Sequence, residues 1–336
     1  MNDDYTLLNA PPIPGLRFRP PAGPDDAGGL VAVLLGSAAR DGYDPLSSVE
    51  YIPTHDEAAA TLRNSDAGRV ILAEIDGRLV GYNRFWEWSE LDGMHVWLIV
   101  GAVLPEWRGR GLGTALLHWA ERRVRQLAVE RPGRWEFAGN ASSTENDAAA
   151  LLRDNGYAPG YTVLEMGLDW AAFVPGSTAP DGIDIRAGRV GDAAAVAAAV
   201  DESYRDEYPA GRFGVLFDPV DYAKELAGPE HDPALWRVAW DGDEVVGQVI
   251  PRLARGRAEI YEVSVRPGRR RQGVARALLS AALLGLRERG VAVVRLHTVR
   301  EFPTRAWQLY ESLGFRTLKE FPRYRKEGSE TERLKD

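Results

Sequence analysis

The chain has 336 residues, enough for two ordinary domains with full cores, and its formal net charge of -8 argues against a surface built for nucleic acid. It contains no cysteine, which excludes disulfides, thiol catalysis and cysteine-ligated zinc. The acidic start Met1-Asn2-Asp3-Asp4 leads into no apolar run and no stretch approaches membrane-spanning length. A cytoplasmic protein without a nucleic-acid or membrane partner is therefore expected.

In chain order, Gly15-Leu16-Arg17-Phe18-Arg19 reads as a short alternating strand before an Ala/Gly/Asp-rich helix start. Asp76-Gly77, between β-branched runs, is a hairpin signal. A valine-ended run closing at Gly101-Ala102-Val103 passes through Pro105 into Arg108-Gly109-Arg110-Gly111-Leu112-Gly113-Thr114, which opens an apolar helix. Asn155-Gly156-Tyr157 ends a late helix and enters a strand, and Ala171 to Gly182 is a Pro/Gly/Ser-rich linker.

The landmarks then return. Gly182-Ile183-Asp184-Ile185-Arg186, Asp241-Gly242, Val263-Ser264-Val265 with Arg270-Arg271-Gln272-Gly273-Val274-Ala275-Arg276, and Leu313-Gly314-Phe315 repeat them at offsets of 158–167 residues. A period of that size marks a duplicated domain rather than a solenoid. The second copy reads as strand 183–187, helix pair 191–227, hairpin 235–253, long strand 257–265, helix 273–289, strand 291–297, helix 303–313 and strand 315–325. The boundaries follow: a first domain over 14–168, a linker over 169–181, a second domain over 182–326 and a charged tail over 327–336. After the second turn, Val274, Ala277, Leu278, Ala281 and Leu284 fall at helical spacing.

A turn of this kind aims several backbone N–H groups at one spot, which is how a protein holds a pyrophosphate. It is neither a P-loop, lacking Gly-Lys-Ser/Thr, nor a G-x-G-x-x-G fingerprint. A single glycine turn reads as an ordinary strand-to-helix loop; the duplicated Arg-x-x-Gly-x-Gly/Ala behind a long strand is far more specific. Arg269, Arg270, Arg271 and Arg276 gather cations at the second turn of an otherwise acidic protein, where a surface arginine run would usually be only a solvated face.

Arg108 to Gly113 and Arg270 to Ala275 resemble the coenzyme A turn of the GNAT superfamily of acyl-CoA-dependent N-acetyltransferases, and the resemblance spans nearly the whole chain as two copies. It implies a mixed α/β fold of two tandem GNAT-type domains, each a mostly antiparallel mixed sheet flanked by helices. It also implies that both turns, with Thr114 and Arg276, bind the pyrophosphate of acetyl-CoA through backbone N–H groups. Val263-Ser264-Val265, and Gly101-Ala102-Val103 in the first copy, would pair with pantetheine and the acetyl group.

Acetylation needs a neutral amine, so a base near the acceptor and an acid for the departing thiolate are sought. Glu259, fourteen residues before Gly273, stands at the spacing of the general-base glutamate of some family members. Glu262 is the fallback, three residues on and so on the opposite face of a regular strand. Tyr310 matches the family tyrosine that protonates the thiolate. Each also has a plain structural reading, Glu259 as an exposed strand residue and Tyr310 as packing at a helix end. Pro303 stands where the family often has asparagine.

The first copy places Trp97 at the Glu259 position, Val100 at the Glu262 position and Leu152 at the Tyr310 position, and so lacks all three acid/base candidates. The second domain is expected to catalyse, and the first to bind coenzyme A without turnover or to serve as a structural partner, as in some tandem members of the family, mycothiol synthase among them. Two catalytic domains, or a non-catalytic acyl-CoA-binding or sensing protein, are the alternatives. The five histidines show no metal-ligand spacing, so no metal site is expected. His297 ends a strand beside the acyl site, as a proton-transfer partner or a hydrogen-bonded rim residue. Asp201 to Tyr208 reads as an acidic, tyrosine-bearing loop at the acceptor side, or as a solvated helix end. A small-molecule or peptide amine is the expected acceptor, with aminoglycoside, mycothiol precursor, peptide N-terminus and protein lysine all left open by the sequence.

Overall fold

A computed structural model describes residues 5, 7, 9–131, 133–176, 178–207, 218–228, 231–254 and 256–328. The first repeat runs β1 (Leu16–Arg19), α1 (Ala27–Asp41), α2 (His55–Asn64), β2 (Val70–Ile75), β3 (Arg78–Ser89), β4 (His95–Val103), α3 (Leu112–Ala128), β5 (Trp135–Asn140), α4 (Asn146–Asp154) and β6 (Ala158–Leu168). The second runs β7 (Ile183–Ala187), α5 (Ala193–Glu207), α6 (Pro219–Leu226), β8 (Arg237–Asp241), β9 (Glu244–Ala254), β10 (Arg257–Val265), α7 (Val274–Glu288), β11 (Val294–Val299), α8 (Ala306–Ser312) and β12 (Phe315–Glu327).

Local chemistry explains most boundaries. Thr54 and Glu57 form a reciprocal capping box at the start of α2. Asp76 and Gly77, both at positive φ, make the tight turn of the β2–β3 hairpin. The apolar stripe of α7 is Val274, Ala277, Leu278, Ala282, Leu283 and Leu286, whereas Ala281 is half-buried and Leu284 exposed. A 3.6-residue period carries the buried face through 278 and 282 to 286 and rotates 284 outward. Asp201 to Glu207 is the end of α5 rather than a loop, and Tyr208 lies outside the described residues. Of the expected charged tail, residues 329–336 also lie outside them.

The chain folds as two compact units: Met1–Ser89, Gly93–Tyr161 and Phe321–Asp336 make one; Thr162–Glu320 with Glu90–Asp92 make the other. The first unit's sheet has the order β1-β2-β3-β4-β5-β12, and the second's the order β7-β8-β9-β10-β11-β6. Every pairing within them is antiparallel except β4 with β5 and β10 with β11.

The repeats and the units therefore divide the chain differently. β6, from the first repeat, pairs with β11 (Leu296↔Met166), and β12, from the second, pairs with β5 (Tyr324↔Gly139). Each closing strand completes the sheet of the other repeat. Within the first unit the returning strand is pinned by Lys326, whose ammonium donates to both carboxylate oxygens of Glu121 at 2.9 and 3.1 Å.

Candidate active site

The two long strands that lead into the glycine turns differ in one residue of register. β4 pairs with β3 without interruption from Gly81↔Val103 to Ser89↔His95. β10 pairs with β9 from Val265↔Gly247 to Glu262↔Ile250, then shifts so that Ile260 faces Pro251, leaving Tyr261 as a β-bulge. Val263 and Val265 pack with α7, and across the bulge so do Ala258 and Ile260. The groups between them face α5 and α6: Tyr261 packs in that cluster and donates to Glu225 at 2.8 Å, and Glu262 accepts from Tyr204 of α5 at 2.6 Å.

This register corrects two sequence expectations. Glu259 and Glu262 lie on the same face, not on opposite ones, because the bulge adds one residue between them. The counterpart of Glu259 in the first unit is Leu98 rather than Trp97, since Glu259 pairs with Arg252 where Leu98 pairs with Trp86. Trp97 points the other way, fully buried near Phe85, which in turn meets Trp119 of α3. The substitutes remain inert: Leu98, Val100 and Leu152 carry no titratable group.

Glu259 is not the exposed strand residue of its plain reading. It is 1% exposed and its Oε2 accepts from Arg252 Nε at 3.1 Å, with Arg257 at 4.0 Å and His297 Nδ1 3.3 Å from Oε1. Burial alone would raise its pKa, but the His297 and Arg252 contacts win and hold it at about 2. Arg295 and Glu165, both buried, continue this charged set 3.4 Å apart. Sequence reading did not single out Arg252, Arg257, Arg295 or Glu165. Their signal was a charge at alternate positions of otherwise apolar strands, as in Arg257-Ala258-Glu259-Ile260 and Val294-Arg295-Leu296-His297.

Tyr310 belongs to the opposite face. It is buried in the α7–α8 core with its ring 6.0 Å from Phe315. Between the two faces lies the parting of β10 and β11. These parallel strands pair only at Ala258↔Val294 and Glu259↔Arg295, and then separate. Because an antiparallel strand turns alternate backbone groups to each side, Ile260 to Val265 present N–H and C=O groups to the opened edge. In the first unit β4 and β5 pair from His95↔Trp135 to Ile99↔Gly139, leaving only Val100 to Val103 on that edge.

The turns themselves are built alike. Gly109 and Gly111 in one, Arg271 and Gly273 in the other, adopt positive φ, and Gly111 and Gly273 start α3 and α7 without any side-chain cap. The first amides of each helix, from Leu112, Gly113 and Thr114 or Val274, Ala275 and Arg276, are thus arranged for an anion, which is the geometry a pyrophosphate requires. Around Gly273 no atom lies within 4 Å of where a Cβ would stand, whereas Gly111 has Pro11 at 3.6 Å.

The arginine cluster is more structural than its charge implied. Arg108 Nε donates to Val103 O at 2.8 Å and its guanidinium to Asp41 at 2.5 and 2.8 Å; Arg270 Nε donates to Val265 O at 3.1 Å and its Nη2 to Ser203 O at 3.0 Å. Both side chains latch the turn to the end of its strand. Arg269 pairs with Asp241, and Arg276 donates to Ser312 Oγ at 2.5 Å. Arg110 stacks 4.9 Å over Trp107, while Arg271 and Gln272 are exposed on the turn. A cavity of about 470 Å³ in the first unit, lined by Asn64, Asp66, Arg69, Arg84 and Trp86 among others, includes no residue of either turn.

Comparison with known proteins shows the family. The model of the acetyltransferase (GNAT) family matches residues 38–157 and again 196–315. A mycothiol acetyltransferase of Geodermatophilus obscurus is 31% identical over 306 residues, covering 87% of this chain and 91% of that protein. One from Nocardia farcinica is 30% identical over 84% of this chain and 88% of its own. Among solved structures, a GCN5-related N-acetyltransferase from Sphaerobacter thermophilus superposes with a TM-score of 0.73 at 24% identity, covering 94% of this chain and 96% of that one. A tandem GNAT protein from the clavulanic acid biosynthesis pathway gives 0.63 at 16% identity, over 94% and 99%. The chain belongs to the GNAT acetyltransferase family, twice over, as a tandem acyl-CoA-dependent N-acetyltransferase.

Proposed function

We propose that the second unit transfers an acetyl group from acetyl-CoA to the primary amine of a small molecule, while the first unit does not turn over. One observation carries the assignment. The parting of β10 and β11 is the place where a molecule can meet Glu259 on one face of the sheet and Tyr310 on the other. The first unit has apolar residues at both positions.

Acetyl-CoA supplies the activated acyl group. The amides of Val274, Ala275 and Arg276 would hold its pyrophosphate, and the open edge of Val263 to Val265 would pair with pantetheine and stabilise the oxyanion. Glu262, held by Tyr204, would shape the acceptor side instead of serving as a second base. The amine's proton leaves toward the Glu259 end of the split, and the Tyr310 hydroxyl protonates the sulfur. The relatives named for mycothiol favour a small-molecule acceptor over a protein lysine.

The test is acetyl-CoA-dependent thiol release over glucosamine, simple primary amines and a lysine peptide. The absence of cysteine removes any background from the protein. Release with a small amine and a kcat lowered about 10²–10³-fold by Tyr310→Phe is expected. Binding of acetyl-CoA without release on any amine would favour a sensing protein. A Tyr310→Phe rate equal to wild type would remove the tyrosine from the reaction.

A further inference from the structure

The proton acceptor of this site is open to a sharper reading, which rests on the proposed amine acetylation in the second unit. Glu259 is the buried carboxylate at the mouth of the split, yet Arg252 and Arg257 crowd its Oε2. A carboxylate surrounded in this way stays ionised and is a poor resting place for a proton. Among the described residues its Oε1 accepts no hydrogen bond, and His297 Nδ1 stands 3.3 Å from it, at ion-pair distance.

His297 is placed differently. It stands on β11 two residues past Arg295, the last residue there that pairs with β10. Leu296 between them is buried in the α7–α8 core, so His297 shares the face of Glu259. Its side chain is 42% exposed, against 2% for that of Glu259. One imidazole nitrogen thus reaches the buried carboxylate while the ring remains open to solvent. Among the described residues, Arg252 of β9, Arg257 of β10, Arg295 of β11 and Glu165 of β6 carry the other charges beside the pair, and Glu262, held by Tyr204, lies further along β10 on the same face.

We infer that His297 takes the amine proton, and that Glu259 is a positioning residue which holds the imidazole with Nδ1–H inward and Nε2 outward. The amine lone pair forms the C–N bond to the thioester carbonyl, and the nitrogen gives one proton to His297 Nε2. The C–S bond breaks with its electron pair on sulfur, which takes the Tyr310 proton. His297 then releases its proton to water and Tyr310 regains one, so amide and free thiol are the net products. The carboxylate–imidazole arrangement fixes one tautomer, as an orienting acid does for any histidine base.

Two measurements on the full chain test this. Nitrogen-15 spectra of the five histidines, with His297 assigned through H297Q, are expected to show the Nδ1–H tautomer in wild type and a mixture in Glu259→Gln. An Nε2–H tautomer in wild type, or no change in Glu259→Gln, overturns the inference whether or not any amine is acetylated. For turnover, with glycinamide and propylamine as probes, His297→Ala is expected to lose about 10²-fold in kcat and to recover at least tenfold with added imidazole. Glu259→Ala is expected to fall less and to gain nothing from imidazole. Full activity of His297→Ala, with loss confined to the Glu259 variants, assigns the proton to Glu259 and leaves the acetyltransferase reading intact.

Discussion

β4 and β10 occupy the same place in the two units, end at the same kind of turn, and differ by one inserted residue. In β4 the pairing with β3 never slips, and the residue fourteen before the helix-capping glycine, Trp97, points toward the side packed by α3. In β10 the Tyr261 bulge rotates everything before it by one step, so Glu259 at that spacing points away from α7. Side-chain direction in a strand has period two, and a single extra residue exchanges the faces. The two copies are separated here by register as much as by residue identity.

Removing the bulge should have the largest effect. Deleting Tyr261 would turn Glu259 and Arg257 into the apolar α7 core, at a cost of about 3–5 kcal/mol or more. Urea unfolding of the second unit should show it, together with loss of thiol release. A variant that keeps both stability and rate would refute the register argument. In the first unit the comparison can be inverted. Trp97→Glu should destabilise by about 3–5 kcal/mol by burying a charge in a filled site. Leu98→Glu, in a small satellite cluster, should cost about 1–3 kcal/mol. Equal costs would mean that the two positions do not face opposite ways.

Acid stability should also distinguish the units. Glu259 has its pKa lowered from 4.5 to about 2. The contribution of its ionised form is therefore fully present above about pH 4.5 and is lost as pH falls toward 2. It is on the order of 3 kcal/mol. Glu259→Gln should flatten the stability of the second unit across that window, and a slope matching wild type would remove Glu259 as its source. The smallest effect is expected at the turns. Gly111→Ala and Gly273→Ala both place a Cβ at positive φ and should each cost about 1–2 kcal/mol. Only Gly273→Ala should raise the KM for acetyl-CoA, about tenfold, with kcat unchanged. A matching rise in Gly111→Ala would show that the first turn contributes to turnover.

The backbone of the candidate cofactor turns was largely legible in the sequence. The glycine turns were readable because positive φ demands a residue type, and Gly111 and Gly273 meet that demand at both helix starts. Arg271 was not, since an arginine at φ 63 breaks the rule its counterpart Gly109 obeys. The side-chain contacts of Arg108 and Arg270 could not be read from charge. A guanidinium at a turn can reach a ligand or fold back, and here Val103 O, Asp41, Val265 O and Ser203 O lie within its reach.

The sequence by itself determined the duplication, the strand-to-helix turns and the lack of counterparts to Glu262 and Tyr310 in the first copy. Those are properties of residue type and short spacing, which the chain carries locally. Three matters were decided only by tertiary structure. The bulge is invisible in sequence because Tyr261 suits a regular strand as well as a bulged one. The grouping of Arg252, Glu259 and His297 depends on strands brought together over long separations. The exchange of β6 and β12 could not be read because two similar sheets offer each closing strand two similar slots. The choice between such slots depends on long-range partners such as Glu121 for Lys326, not on any propensity of the strand.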